Sequence, residues 1–168
     1  MNTLYFDMDG VVADWDAGIE QLLKLPRKPP EADPDPTWGY DHWPKIRDHI
    51  HMYRNLPLVD RAGELVDLGR RLRDEKGWQL LFLTAVPRNN DMHWAFWDKF
   101  LWCQDYFPDI PVHFGPFSDT KWQHCQAGDI LIDDRRTNID SWNDAGGQGF
   151  YVKSGQIAPA IEFLQGLL

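Results

Sequence analysis

Five short apolar runs divide this sequence, and stretches with helical spacing lie between them. The strongest runs are "TLYFD" (3–7), "WQLLFLT" (78–84) and "DILIDD" (129–134); "PVHF" (111–114) and "GFYV" (149–152) are weaker. Runs this short and this uniformly apolar read as strands buried on both faces. The segments 62–76, 90–103, 137–146 and 158–168 read as helices. In the first of them Leu65, Val66, Leu68 and Leu72 recur with a helical period against a basic outer face. Strands alternating with helices of this length imply right-handed crossovers. The expected fold class is therefore α/β, with a five-stranded, mainly parallel sheet covered by helices on both sides, a three-layer arrangement.

Residues 14–57 break the rhythm, because they separate the first two strands by far more chain than a crossover needs. They contain "LPRKPPEADPDPTWGYDHWP", which holds six prolines. This reads as an insertion made of a helix at about 14–25, a proline-rich loop and a second helical piece at about 42–54. A chain of 168 residues has room for one compact domain with such an insertion. The expected division is a core of 1–13 and 58–168 and a small helical insertion of 14–57.

The formal charge of −9 and the pI near 5.0 argue against affinity for nucleic acid polymers or anionic membranes. An anionic substrate would need a site that is locally positive. Cys103 and Cys125 make neither a disulfide framework nor a CxxC metal site. No apolar stretch approaches 18 residues and no charged-then-apolar leader opens the chain, so the expected location is the cytoplasm.

In open parallel α/β sheets ligands bind beyond the carboxyl ends of the strands. Asp7 and Asp9 follow the first run, Thr84 ends the second, and Asp133 and Asp134 end the fourth; Lys121 lies in the loop before the fourth. One Asp alone would serve as a helix cap or turn former. Four carboxylates at one sheet edge repel each other unless a cation neutralises them, and ligation by oxygen alone suits Mg²⁺. A calcium loop starting at Asp7 fails, because its twelfth position is Gly18 rather than glutamate. The six histidines, at 42, 49, 51, 93, 113 and 124, show no metal-ligand spacing with Cys and are read as non-catalytic. The aromatics of "HWAFWDKFLWC" recur at helical spacing, so Trp94, Trp97 and Phe100 are expected in the core.

The ordered set "DMDGV" (7–11), "LFLTA" with Thr84, "SDTKW" with Lys121 and "LIDD" with Asp133 and Asp134 resembles the haloacid dehalogenase (HAD) superfamily of phosphotransferases. The resemblance spans about residues 3–140. It implies a phosphatase in which Asp7 is the nucleophile that forms an aspartyl-phosphate, and Asp9 the general acid and base. Asp in the second position favours hydrolysis over a long-lived phosphoenzyme. Mg²⁺ would be held by Asp7, the backbone carbonyl of Asp9, Asp133 and Asp134, with Thr84 and Lys121 on the phosphate. The insertion would act as a cap that reads the leaving group.

"DMDGVVADW", "YRNLPLVDRAGELV" and "TAVPR" look more specifically like the 5'(3')-deoxyribonucleotidases, which dephosphorylate nucleoside monophosphates. That resemblance places Trp15 on the base, Ala85 at a phosphate-binding position where the family commonly has Ser, and Arg88 on the phosphate. Trp38, Trp43 and Tyr53 join Trp15 as candidate cap contacts to the substrate base. A homodimer is among the assemblies the chain could form. Two other readings stay open: a phosphatase of small sugar or metabolite phosphates, and a catalytically silent phosphate-binding regulator.

Overall fold

The computed structural model describes residues 2–88 and 92–168. Its elements run β1 (Thr3–Phe6), α1 (Trp15–Leu23), α2 (Trp38–Asp48), α3 (Ala62–Lys76), β2 (Gln79–Thr84), α4 (Trp94–Tyr106), β3 (Val112–Phe114), β4 (Ile130–Asp133), α5 (Arg136–Asp144), β5 (Gln148–Tyr151) and α6 (Ala158–Gln165). Short 3₁₀ turns cover Tyr53–Asn55 and Ser118–His124. The strands form one sheet in the order β3-β2-β1-β4-β5, with every pair parallel. The five strands and the alternation with helices match the sequence expectation, and the sheet is parallel throughout.

Successive strand residues point to opposite faces, and the sheet sorts them accordingly. Leu4, Phe6, Leu80, Phe82, Ile130 and Ile132 join one large core with α3, α4 and α6. Tyr5, Leu81, Leu83 and Leu131 face the other side, where Trp142 of α5 covers them. Close approach of α3 to the sheet depends on Gly69: a Cβ there would lie 2.9 Å from Leu80 and 3.0 Å from Phe6. The strand ends line up across the sheet, with Phe6 opposite both Phe82 and Ile132, and the Asp7 N–H extends the ladder to the Ile132 carbonyl at 2.9 Å. Residues just beyond β1, β2 and β4 are thereby brought to one edge.

Residues 14–57 carry two helices, but the second lies earlier than the sequence suggests. It starts at Trp38 with Pro44 in its interior, and the chain leaves it at His49 before a separate 3₁₀ turn. An interior proline removes a helical hydrogen bond; burial of Trp38 and Ile46 on the inner face offsets that loss. The Asp14 side chain caps α1 by accepting from the Ala17 N–H at 2.9 Å. The buried residues of this segment, among them Ile19, Ile46 and Tyr53, are continuous with the large core.

Helix α4 departs from expectation in a second way. Trp94 is buried, Phe100 is half-buried, and Trp97 is 60% exposed, packing edge-on against Phe96 and Phe100 on the outer surface. The inward positions are instead Ala95, Asp98, Lys99, Trp102 and Cys103. Trp97 was expected in the core because the aromatics recur at helical spacing, but they occur on both sides of this helix, so the spacing does not single out the buried face. The expected helical residues 90 and 91 lie outside the described residues. No helix among the described residues is long and apolar enough to cross a membrane.

Trp102 is fully buried, and its Nε1–H donates to the Leu56 carbonyl at 2.8 Å, tying α4 to the end of the inserted segment. Trp102→Ala should lower unfolding free energy in urea by about 3–5 kcal/mol. A loss below about 1 kcal/mol would show that this joint carries little of the stability.

Candidate active site

The edge beyond β1 begins with a sharp turn. Gly10 adopts φ +78°, and a Cβ there would sit 2.3 Å from Asp134 Oδ2, so the turn needs glycine on both grounds. The turn delivers Asp7 and Asp9 to the site. The carboxylates of Asp7, Asp133 and Asp134 offer oxygens within 4.8 Å of one another.

Lys121 enters this cluster from the 3₁₀ turn before β4. Its Nζ donates to Asp7 Oδ1 at 2.7 Å and to Asp133 Oδ2 at 2.7 Å, and the side chain is 2% exposed. Burial opposes its charge, but Asp133 and Asp7 outweigh that and hold it protonated above the ordinary lysine range. Asp7 Oδ1 also accepts from the Met8 N–H at 2.7 Å. Asp133 is held on all sides: Asn138 Nδ2 donates to both its oxygens at 3.0 Å, and the Arg135 N–H donates to Oδ1 at 2.8 Å. Ser118 in turn donates to Asn138 Oδ1 at 3.0 Å.

A second lysine fixes Asp9. Lys99 Nζ donates to Asp9 Oδ2 at 2.5 Å, to the Ala85 carbonyl at 2.7 Å and to Thr84 Oγ1 at 3.3 Å, and it lies 4.5 Å from the centroid of the Tyr53 ring. Among the described residues, Asp9 Oδ1 is buried with no hydrogen-bond partner. An orphaned carboxylate oxygen is costly, and a ligand group bound beside it would satisfy it.

One lysine does not balance the cluster. Burial, then the charges of Asp133 and Asp9, push the Asp7 carboxyl up to about 7, against the pull of Lys121. Burial and the neighbouring Asp133 and Asp7 likewise hold Asp134 well above the usual carboxylate range. Carboxylates strained in this way fit a hard divalent cation: the donors are all oxygen, three converge, and bound positive charge would remove the repulsion.

The sequence-based candidates fall into three groups. Asp7, Asp9, Thr84, Lys121, Asp133 and Asp134 are brought together, with the Ala85 carbonyl at their edge. Arg88 contacts none of them; it pairs with Asp119 and lies 5.0 Å over the Phe117 ring. Trp15 and Trp43 are half-buried with ring centroids 6.1 Å apart, and Trp15 hydrogen-bonds Tyr53, whose phenol burial raises along with the charge of Asp9. Trp38, expected to touch substrate, is buried 5.8 Å from Trp15 with its Nε1–H on the Pro26 carbonyl at 3.2 Å, because it is needed to pack α2. Lys99 and Asn138 were not anticipated. Lys99 had a signal: with Asp98 it falls on the face of α4 that carries Ala95 and Trp102, where a charge needs a buried partner. Asn138 had none, since an asparagine in the first turn of a helix is unremarkable.

The raised Asp7 carboxyl predicts a pH effect in chelator. Its unfolded value of 3.8 lies below its folded value of about 7, so as pH rises through that window the unfolded state ionises first and the folded state loses relative stability. Asp7→Asn removes this term. Its melting temperature minus that of the unmodified chain should therefore grow as pH rises from about 4 to about 7 in metal-free buffer. A flat difference would contradict the assignment.

Comparison with known proteins agrees with this geometry. The family model described as "5' nucleotidase, deoxy (Pyrimidine), cytosolic type C protein" matches residues 1–150. Among solved structures, a hydrolase from Streptococcus pneumoniae TIGR4 is similar with TM-score 0.55 at 11% identity, covering 98% of each chain. A HAD-superfamily hydrolase from Ehrlichia chaffeensis is similar with TM-score 0.50 at 14% identity, covering 99% of this chain and 98% of its own. At these identities the two structures speak for the fold alone. No curated protein sequence matches significantly. The chain belongs to the deoxy (pyrimidine) cytosolic type C 5' nucleotidase family, and is a hydrolase of the phosphatase and nucleotidase class on a HAD-like fold.

Proposed function

We propose that this chain is a Mg²⁺-dependent phosphomonoesterase acting on nucleoside 5'- or 3'-monophosphates through an aspartyl-phosphate on Asp7. The observation that supports it most is the pairing of two buried lysines with two aspartates at the end of β1: Lys121 on Asp7 and Lys99 on Asp9.

In the first step a carboxylate oxygen of Asp7 attacks phosphorus, the phosphorus–oxygen ester bond breaks, and the leaving alkoxide takes a proton from Asp9. In the second step water attacks the same phosphorus and returns its proton to Asp9, which releases inorganic phosphate and restores the Asp7 carboxylate. The Asp9 oxygen suited to this shuttle is Oδ1, because Lys99 occupies Oδ2 and Oδ1 has no partner among the described residues. Lys121 and Thr84 would bind phosphoryl oxygens, with Ala85 beside them and Arg88 joining after it leaves Asp119. Asp7, the Asp9 carbonyl, Asp133 and Asp134 would hold the metal, whose charge screens the approach of a phosphate to a carboxylate.

Segment 14–57 is proposed as a cap over a core of 1–13 and 58–168. Trp15 is the base contact the packing favours, since it is half-buried, backed by Trp38 and hydrogen-bonded to Tyr53 beside Asp9. Trp43, 6.1 Å from Trp15, is proposed as the second wall.

Asp7→Asn should abolish Mg²⁺-dependent phosphate release while circular dichroism stays unchanged; retained turnover would overturn the proposal. Trp15→Ala should raise KM for nucleoside monophosphates by about tenfold or more, the loss of roughly 1–3 kcal/mol of stacking. A panel of phosphate esters separates the alternatives. Equal rates on sugar phosphates would replace the nucleotide reading, and Mg²⁺-dependent binding without turnover would point to a silent regulator.

A further inference from the structure

A hollow of about 710 Å³ lies at the carboxyl end of edge strand β5, between the starts of α3, α5 and α6. Three cations line it, Arg61, Arg136 and Lys153, against one acid, Asp60. Arg61 is spoken for by Glu64, at 2.8 and 2.9 Å. Arg136 and Lys153 have no ion-pair partner among the described residues, and the Arg136 guanidinium lies over Tyr151 at 4.1 Å from the ring centroid. In a chain of net charge −9 two unpaired cations converging on one hollow are against the trend of the surface.

The hollow is also built rather than loose. The Lys153 carbonyl accepts from the Gln156 N–H at 2.8 Å, the Gly155 N–H donates to the Gly10 carbonyl at 2.8 Å, and Ser154 Oγ donates to Asp16 at 2.9 Å. The loop presenting Lys153 is therefore fixed before any ligand arrives. A second hollow of about 670 Å³, between α2 and the start of α4, makes the contrast. There Arg47, His51 and His93 are countered by Asp48, and His51 is already held by buried Asp98 at 2.9 Å, so nothing in it prefers an anion.

We propose that the hollow beside β5 is a phosphate-binding site separate from the Asp7 centre, in which Arg136 and Lys153 take a phosphate dianion and the Tyr151 ring supports the guanidinium. The anion is inorganic phosphate or the phosphoryl group of a nucleotide; both present the same oxygens. The loop of this hollow abuts the active-site turn through the Gly155 N–H on the Gly10 carbonyl, but none of Asp7, Asp9, Asp133 and Asp134 lines the hollow, so its anion would be held by a different set of residues. The inference does not rest on the nucleotidase mechanism proposed for Asp7.

The test is a titration of the ¹⁵N-labelled full chain with inorganic phosphate against chloride at equal ionic strength, which removes non-specific screening. Saturable shifts are expected at the amides of Arg136, Lys153, Gln156 and Ala158. In the Arg136→Met, Lys153→Met double variant these should weaken by at least about tenfold, while shifts at Thr84, and turnover of phosphate esters, persist. Titration with a nucleoside monophosphate identifies the source: affinity equal to that of phosphate means the free ion, and tighter affinity means a nucleotide. Absent or non-saturable shifts at the β5 loop, shifts unchanged in the double variant, or the same shifts from an unphosphorylated nucleoside would each overturn the proposal. Because turnover is read on the same samples, failure of this site and failure of the Asp7 mechanism are distinguishable.

Discussion

The ammonium of Lys121, buried between Asp7 and Asp133 at 2.7 Å from each, is the contact on which the active-site edge depends. Three separate parts of the chain meet there: the end of β1, the 3₁₀ turn before β4, and the end of β4. Burying such a triad costs several kcal/mol of hydration per ion, and the mutual attraction about breaks even. Stability is therefore a weak reason for its presence. What the triad does is hold two carboxylates at fixed separation, and the parallel ladder around it keeps the strand ends level. Asn138, Ser118 and the Arg135 N–H then lock Asp133 from the α5 side, which leaves Asp7 and Asp134 as the carboxylates that carry the unrelieved repulsion.

Lys99 has a parallel task with a different anchor. It reaches Asp9 from α4, with the Tyr53 ring of the inserted segment against it, so the position of Asp9 is sensitive to how the insertion packs. Two lysines thus give the two aspartates of one turn different surroundings. Asp7 is enclosed by charges from the core, and Asp9 keeps one oxygen open beside aromatic residues of the insertion. That asymmetry suits one group that bonds to phosphorus and one that exchanges a proton.

The fold and the acidic edge were legible because they rest on local signals. The apolar runs marked all five strands, and Asp7, Asp9, Thr84, Lys121, Asp133 and Asp134 each sit at a strand end or the loop before one. What the sequence hid depends on packing at long range. Lys99 is fifteen residues beyond Thr84 and meets it only because α4 folds back over the sheet. Trp97 and Trp38 exchanged their expected environments, since aromatic content says nothing about which side of α4 or α2 meets the core. Arg88 stands four residues after Thr84 as the family pattern requires, yet its charge is taken up by Asp119. The start of α2 was placed too late because the chain before residue 42 reads as a proline-rich loop, whereas the helix begins at Trp38, which is buried with Ile46.

The central claim is that the carboxylates around Lys121 are short of one cation and that a divalent ion supplies it. The direct measurement is the melting temperature of the chain and of Asp134→Asn, each titrated with Mg²⁺ in substrate-free buffer. An ion that binds only the folded state stabilises it by about 2.7 kcal/mol at a hundredfold excess over its dissociation constant. The account predicts a saturable rise in melting temperature for the unmodified chain and a much smaller one for Asp134→Asn. No rise in the unmodified chain, or an equal rise in both, would contradict it.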